Sequence, residues 1–279
     1  MAEWVNVVKS AKTGKFPKIV VNGESMGKII VATPDTEGRL GKAIADNLVR
    51  LATNIKSIFG KPKLTLNDPT VPDDAGGMLG IGTGDFEQGK PHIQIPPSRS
   101  GKISYKSDMS VIKITMGLNE AATFLHEVNH AIHRFVNNGK YLHPKSSELV
   151  GAVSQDVRKG IMSRNLQTNF NYSKGMVEKK ANEMETYWLS CCDAVKYNMD
   201  AAAVRAIKAE NNKNLVAAHY EYLGNEHQAD VLREHMNDDN LWANMYDINE
   251  LDPTRLKPPT DDVFNNLDAN PTDEPQEQL

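Results

Sequence analysis

His126-Glu127-Val128-Asn129-His130 sets two imidazoles four residues apart, with a carboxylate beside the first. On a helix, positions i and i+4 stack on one face, so both rings can reach a single ion. Catalytic zinc takes three protein ligands and leaves one position for water. The expectation is therefore a Zn2+ site, with His126 and His130 as ligands and Glu127 as general base toward the activated water. The bland alternative is a pair of surface histidines on an ordinary amphipathic helix.

Three residues compete for the third ligand place. His133 shares the face of His126 and His130 but lies two turns past His126, about 10 Å along the axis at ~1.5 Å per residue. Ligand bonds of about 2 Å cannot span that distance. Glu226 lies in Gly224-Asn225-Glu226-His227-Gln228-Ala229-Asp230, a segment with helical spacing. Glu226 and Asp230 face the same way, so one carboxylate can meet the ion while the other holds a ligand histidine's free N–H. Glu148, eighteen residues after His130, is the alternative ligand. It has Ala152 rather than an acid four residues on. Its neighbours Ser146 and Ser147 suit a helix N-terminus, where glutamate is common for other reasons.

The two motifs together resemble the gluzincins, H-E-x-x-H peptidases with a downstream glutamate ligand. Their second motif often reads N-E-x-x-(S/A)-D, and Asn225, Glu226, Ala229 and Asp230 match it. The resemblance implies Glu226 as the ligand, Asp230 as the residue that orients a histidine, and a peptide or protein substrate. It covers two short motifs and identifies no subfamily. The metzincin pattern fails, because it needs glycine where His133 stands and histidine where Val136 stands.

Stepping outward, Ala121, Leu125, Val128, Ile132 and Phe135 form an apolar stripe of helical period around the motif. Asn119 is the expected N-cap and Gly139 the stop. Ile19–Val21 and Ile29–Val31 read as strands flanking Asn22-Gly23, which suggests a hairpin. Arg39 to Phe59 has helical spacing, closed by Gly60 and Pro62. Leu64–Leu66, His92–Ile95 and Val111–Met116 read as strands, and residues 67–90 as loop. Pro96 and Pro97 suit an edge position for His92–Ile95. Beyond His130 the pattern is helical: Glu148 to Met162, a long helix marked by Val177, Ala181, Met184, Trp188, Cys191 and Val195, then 201–210 and 215–236.

This order predicts an α+β fold. A small mixed or antiparallel sheet and a zincin-like active-site helix occupy residues 1–145. A helical part, 146–251, carries the third ligand. Residues 252–279, rich in Pro, Asp, Asn, Glu and Thr, read as a disordered acidic tail.

Composition narrows the rest. The 279 residues carry a net charge of −4 and have 39% hydrophobic content. No apolar run approaches the ~18 residues of a membrane span, and no secretory signal is visible, so the expected compartment is cytoplasmic. Cys191 and Cys192 are adjacent, poorly placed to bridge each other, and read as core residues. Residues 1–63 hold eleven Lys/Arg against five Asp/Glu, and residues 237–279 two against eleven. The lysines are dispersed and lack interleaved aromatics, so nucleic acid is not the expected partner. The rival to a peptidase is a structural or interaction protein that retains the metal site without hydrolysis.

Overall fold

The computed structural model describes residues 6–9, 19–22, 28–54, 63–68, 70–71, 78–80, 92–106, 111–144, 146–147, 150 and 166–222. The fold is α+β, with a small mixed sheet system and helices. One sheet has five strands in the order β1 (Asn6–Lys9), β2 (Ile19–Asn22), β4 (Lys63–Leu66), β6 (His92–Gln94), β5 (Met78–Gly80). Only its β4–β6 pair is parallel. The other sheet has β8 (Val111–Thr115) between β3 (Lys28–Ala32), which is parallel to it, and β7 (Lys102–Tyr105), which is antiparallel.

β8 delivers the chain to the motif. Its residues alternate, with Ile112 and Ile114 fully buried and Lys113 and Thr115 facing out, the two-residue period of a half-buried strand. The Met116 amide still bonds to the Ala32 carbonyl, and Gly117 then caps α2 (Leu118–Ala131). The cap is Gly117 rather than the expected Asn119. The Glu120 carboxylate lies over this cap, 2.4 Å from where a Cβ on residue 117 would stand. An acid folded back over the first turn suits the positive end of the helix.

α2 is buried on nearly every side. α1 (Arg39–Asn54), α3 (Leu166–Lys196) and α4 (Ala201–Tyr222) all pack on it, as do β5 and β6. Phe124, Leu125, Val128 and Ile132 join a core that includes Ile44, Leu48, Ile112 and Ile207. A helix so enclosed must find protein partners for each polar side chain it carries. After Ala131 the chain widens into a π-helical turn, Ile132–Val136. Gly139, at φ 68°, closes it by donating its N–H to the His133 carbonyl.

α1 lies so close to β3 that a Cβ on Gly41 would fall 2.2 Å from the Val31 carbonyl oxygen. The α3–α4 corner is tied to the start of α1 by Asp200. One carboxylate oxygen caps Ala203 and the other accepts the Thr36 amide. Among the described residues no helix is long and apolar enough to cross a membrane.

The expected helices at the motif and around Ala181 to Val195 are present, as are strands at residues 64–66, 92–94 and 111–115. Four further expectations change. β2 and β3 belong to different sheets, so they form no hairpin. β6 is flanked by β4 and β5, so it is internal, and among the described residues β5 ends the sheet. β5 lies within the expected loop. The expected helix at 201–210 continues unbroken to Tyr222. The helix expected over Glu148 to Met162 falls largely outside the described residues, as do positions 223–279.

Candidate metal centre

His126 and His130 meet as expected, with ring centroids 4.5 Å apart and planes at 88°. Their Nε2 atoms are 3.0 Å apart. The third group is Glu183, from the middle of α3. Its Oε2 lies 3.2 Å from His126 Nε2 and 3.4 Å from His130 Nε2. Donor atoms held at ~2.0–2.1 Å around a tetrahedral ion stand about 3.3–3.4 Å from one another. The two carboxylate separations lie close to that spacing and the imidazole pair is tighter, and His126, His130 and Glu183 form a cluster able to hold a metal ion.

The tautomers point the same way. His126 Nδ1 is 2.8 Å from Asn211 Oδ1 on α4. The Asn211 nitrogen donates to the Ile207 carbonyl, which fixes the amide's orientation. Asn211 thus offers His126 an acceptor, the proton sits on Nδ1, and Nε2 turns a lone pair inward. His130 Nδ1 is 2.9 Å from Thr186 Oγ1, one turn along α3 from Glu183. The bare Nε2 of His126, the Nε2 of His130 and the Glu183 carboxylate then converge on one point. Glu183 Oε2 is correspondingly buried without a well-formed hydrogen bond.

Electrostatics also asks for positive charge. Burial alone would lower the pKa of His126, but the Glu183 carboxylate, with Glu127 and Glu210 beyond, lifts it to about 9. Burial favours a protonated Glu183, yet His130 and His126 outweigh it and hold the carboxyl well below its usual range. Without an ion, a proton fills the gap. His126 is buried, while the side chains of His130 and Glu183 keep 16% and 13% exposure.

Glu127 is buried next to the cluster. Burial raises its pKa, His126 and His130 pull it back, and Glu183 and Glu210 add to the rise. A carboxylate shifted toward neutrality is a better proton acceptor than an exposed one. Glu210 itself accepts from Thr123 on α2 at 3.0 Å and pairs with buried Lys213. Despite burial, Lys213 and His126 hold its carboxyl below the usual range.

No protein-family model, curated protein or solved structure matches this chain.

Sequence reasoning placed His126, Glu127 and His130 together and missed Glu183. Glu226, Asp230 and Glu148 lie outside the described residues. Within the described residues, the outer ring nitrogens of the two histidines meet Asn211, toward His126, and Thr186, toward His130. His133, excluded as a ligand, is buried against Tyr141 and takes no part in the cluster. Burial lowers its pKa to about 4, leaving it a neutral ring. A usable signal for Glu183 existed. Glu183, Thr186, Ser190 and Asp193 recur at steps of three, four and three. That is a polar stripe of helical period beside the apolar stripe that defined the helix.

Proposed function

We propose that this protein is a zinc-dependent metallopeptidase with His126, His130 and Glu183 as its metal ligands and Glu127 as general base. The observation that carries the reading is the convergence of His126 Nε2, His130 Nε2 and Glu183 Oε2 within 3.4 Å of one another, beside a buried carboxylate. The donor set, two neutral imidazoles and one carboxylate, is of the kind catalytic zinc uses, and it leaves a fourth position open. Bound there, zinc supplies Lewis acidity, which acidifies water and polarises a carbonyl.

The chain's own residues do the rest. Asn211 and Thr186 hold the rings with Nε2 inward. Glu127 takes a proton from the attacking water and returns it to the departing amine, a role that needs a carboxylate free of an ion pair and raised in pKa.

Glu127→Gln tests the reading. The substitution keeps shape and removes basicity, so metal content should be unchanged while cleavage of a peptide library is abolished. Cleavage at the wild-type rate in the variant would end the assignment of Glu127. Zinc-loaded wild type that cleaves no peptide would point instead to a metal-holding interaction protein.

A further inference from the structure

A buried polar relay runs away from the metal cluster along α3. Asp193 Oδ2 accepts from Asn47 Nδ2 on α1 at 2.8 Å and from Asn129 Nδ2 on α2 at 3.1 Å. Asn47 Nδ2 also reaches Asn129 Oδ1 at 3.2 Å, and Asn129 Nδ2 reaches Ser190 Oγ at 3.1 Å. Ser190 Oγ donates to the Thr186 carbonyl, and Thr186 Oγ1 meets His130. Asn47, Asn129, Ser190 and Asp193 are all buried.

Apolar residues of similar volume at such positions are often as stable or more so. A fully satisfied polar network adds geometry, since its bonds form in one relative placement of the helices only. If α3 slid one turn, ~5.4 Å, against α2, both amide groups would lose their acceptor. Each buried polar group so orphaned costs about 1–3 kcal/mol. Glu183 needs that placement. Its carboxylate comes from α3 and the imidazoles from α2, and a metal site tolerates errors of only about 0.5 Å.

We propose that Asp193, through Asn129 and Asn47, is the positioning residue that fixes α3 against α2 so that Glu183 meets His126 and His130 in metal-binding geometry. The inference rests on the metal-site part of the reading above and is independent of peptide hydrolysis. Asp193 acts at a distance from the Glu183 ligand of ten residues, about 15 Å, along α3.

The test measures cobalt(II) affinity and the visible cobalt spectrum of the full-length chain. Asp193→Ala should weaken cobalt binding about tenfold, at the low end for residues behind metal ligands, and alter the intensity of the visible bands. Asp193→Asn should restore both, because its amide oxygen can accept the same two N–H groups. Asn47→Ala should weaken binding in the same direction. Leu66→Val, in the core of the five-stranded sheet, should lower the melting temperature without changing cobalt affinity or spectrum. Wild-type affinity and spectrum in Asp193→Ala would overturn the inference, as would equal weakening in Leu66→Val. Should Asp193→Ala fail to fold, Asn47→Ala decides the matter alone, and unchanged affinity there would count against it. Cobalt binding in a wild type that cleaves no peptide removes the peptidase reading and leaves this one standing. No cobalt binding by wild type removes both.

Discussion

Asn211 Oδ1 lies 2.8 Å from His126 Nδ1, and the same amide's nitrogen is committed to the Ile207 carbonyl. The amide cannot turn over without losing both bonds, so α4 dictates which nitrogen of His126 is left to bind metal. Asn211→Leu removes the acceptor and leaves the ring free to move its proton to Nε2. Zinc affinity, measured by chelator competition, should fall about 10–100-fold. Unchanged affinity would show that the tautomer is fixed by some other contact.

The identity of the third ligand separates two assignments cleanly. Glu183→Ala should release zinc at micromolar concentrations, whereas Glu226→Ala and Glu148→Ala should retain it. Elemental analysis of the purified variants gives the answer. Loss of zinc from Glu226→Ala with retention in Glu183→Ala would restore the gluzincin spacing and displace Glu183.

Protons compete with metal at His126. In the metal-free chain its pKa is lifted to about 9, chiefly by Glu183 against the opposing effect of burial. Metal uptake at pH 7–8 should therefore expel about one proton, and apparent affinity should fall roughly tenfold per pH unit lowered. Calorimetric titrations in buffers of different ionisation heat report the proton count directly. The sign for folding is the reverse. A histidine whose folded pKa exceeds its ordinary 6.5 stabilises the metal-free chain fully below 6.5, and that contribution fades as pH rises toward 9. The melting temperature of the metal-free protein should drop across that window.

The site was half legible in the sequence. A local motif reveals itself by spacing, so the His126–His130 pair and Glu127 could be read directly. Glu183 is fifty-three residues from His130, and no fixed spacing links residues on different helices. Helical period identified α3, but only through its apolar stripe; the polar stripe of Glu183, Thr186, Ser190 and Asp193 makes sense once α2 is known to lie against it. The strands show the same limit. Val111 to Met116 and Ile29–Val31 were both readable as strands, but their parallel pairing was not, because pairing across a long connection leaves no local trace. Asn22-Gly23 suggested a hairpin, and the two strands went to separate sheets.

Asp193 carries a cost that can be measured. Burial pushes its carboxyl up to about 6, with the Asn129 and Asn47 bonds pulling the other way, against an ordinary 3.8. Above pH 6 the folded chain holds the buried charge, and the penalty is relieved as pH falls from 6 to 3.8. Asp193→Asn should thus be more stable than wild type above pH 6, by as much as about 3 kcal/mol. The gain should vanish toward pH 4. Urea unfolding at pH 5 and pH 8 checks the sign, and a gain that grows with acidity would refute it.

Gly41 is predicted to resist even the smallest side chain. A methyl group there would press on the Val31 carbonyl at 2.2 Å, and that atom belongs to backbone inside a sheet. Gly41→Ala should cost about 1–3 kcal/mol, the range for overpacking. An unchanged melting temperature would show that α1 can ride away from β3 freely.

Glu183 and Glu185 sit two residues apart on α3, about 200° around its axis, and work in opposite directions. Glu183 faces the imidazoles, while Glu185 accepts the Leu142 and His143 amides at 2.7 and 3.1 Å. The helix is therefore held like a key between two wards. It cannot rotate to withdraw one carboxylate without pulling the other from its lock. The hydrogen-exchange rates of the Leu142 and His143 amides become a remote gauge of whether the cluster is assembled, readable without substrate and without watching the metal.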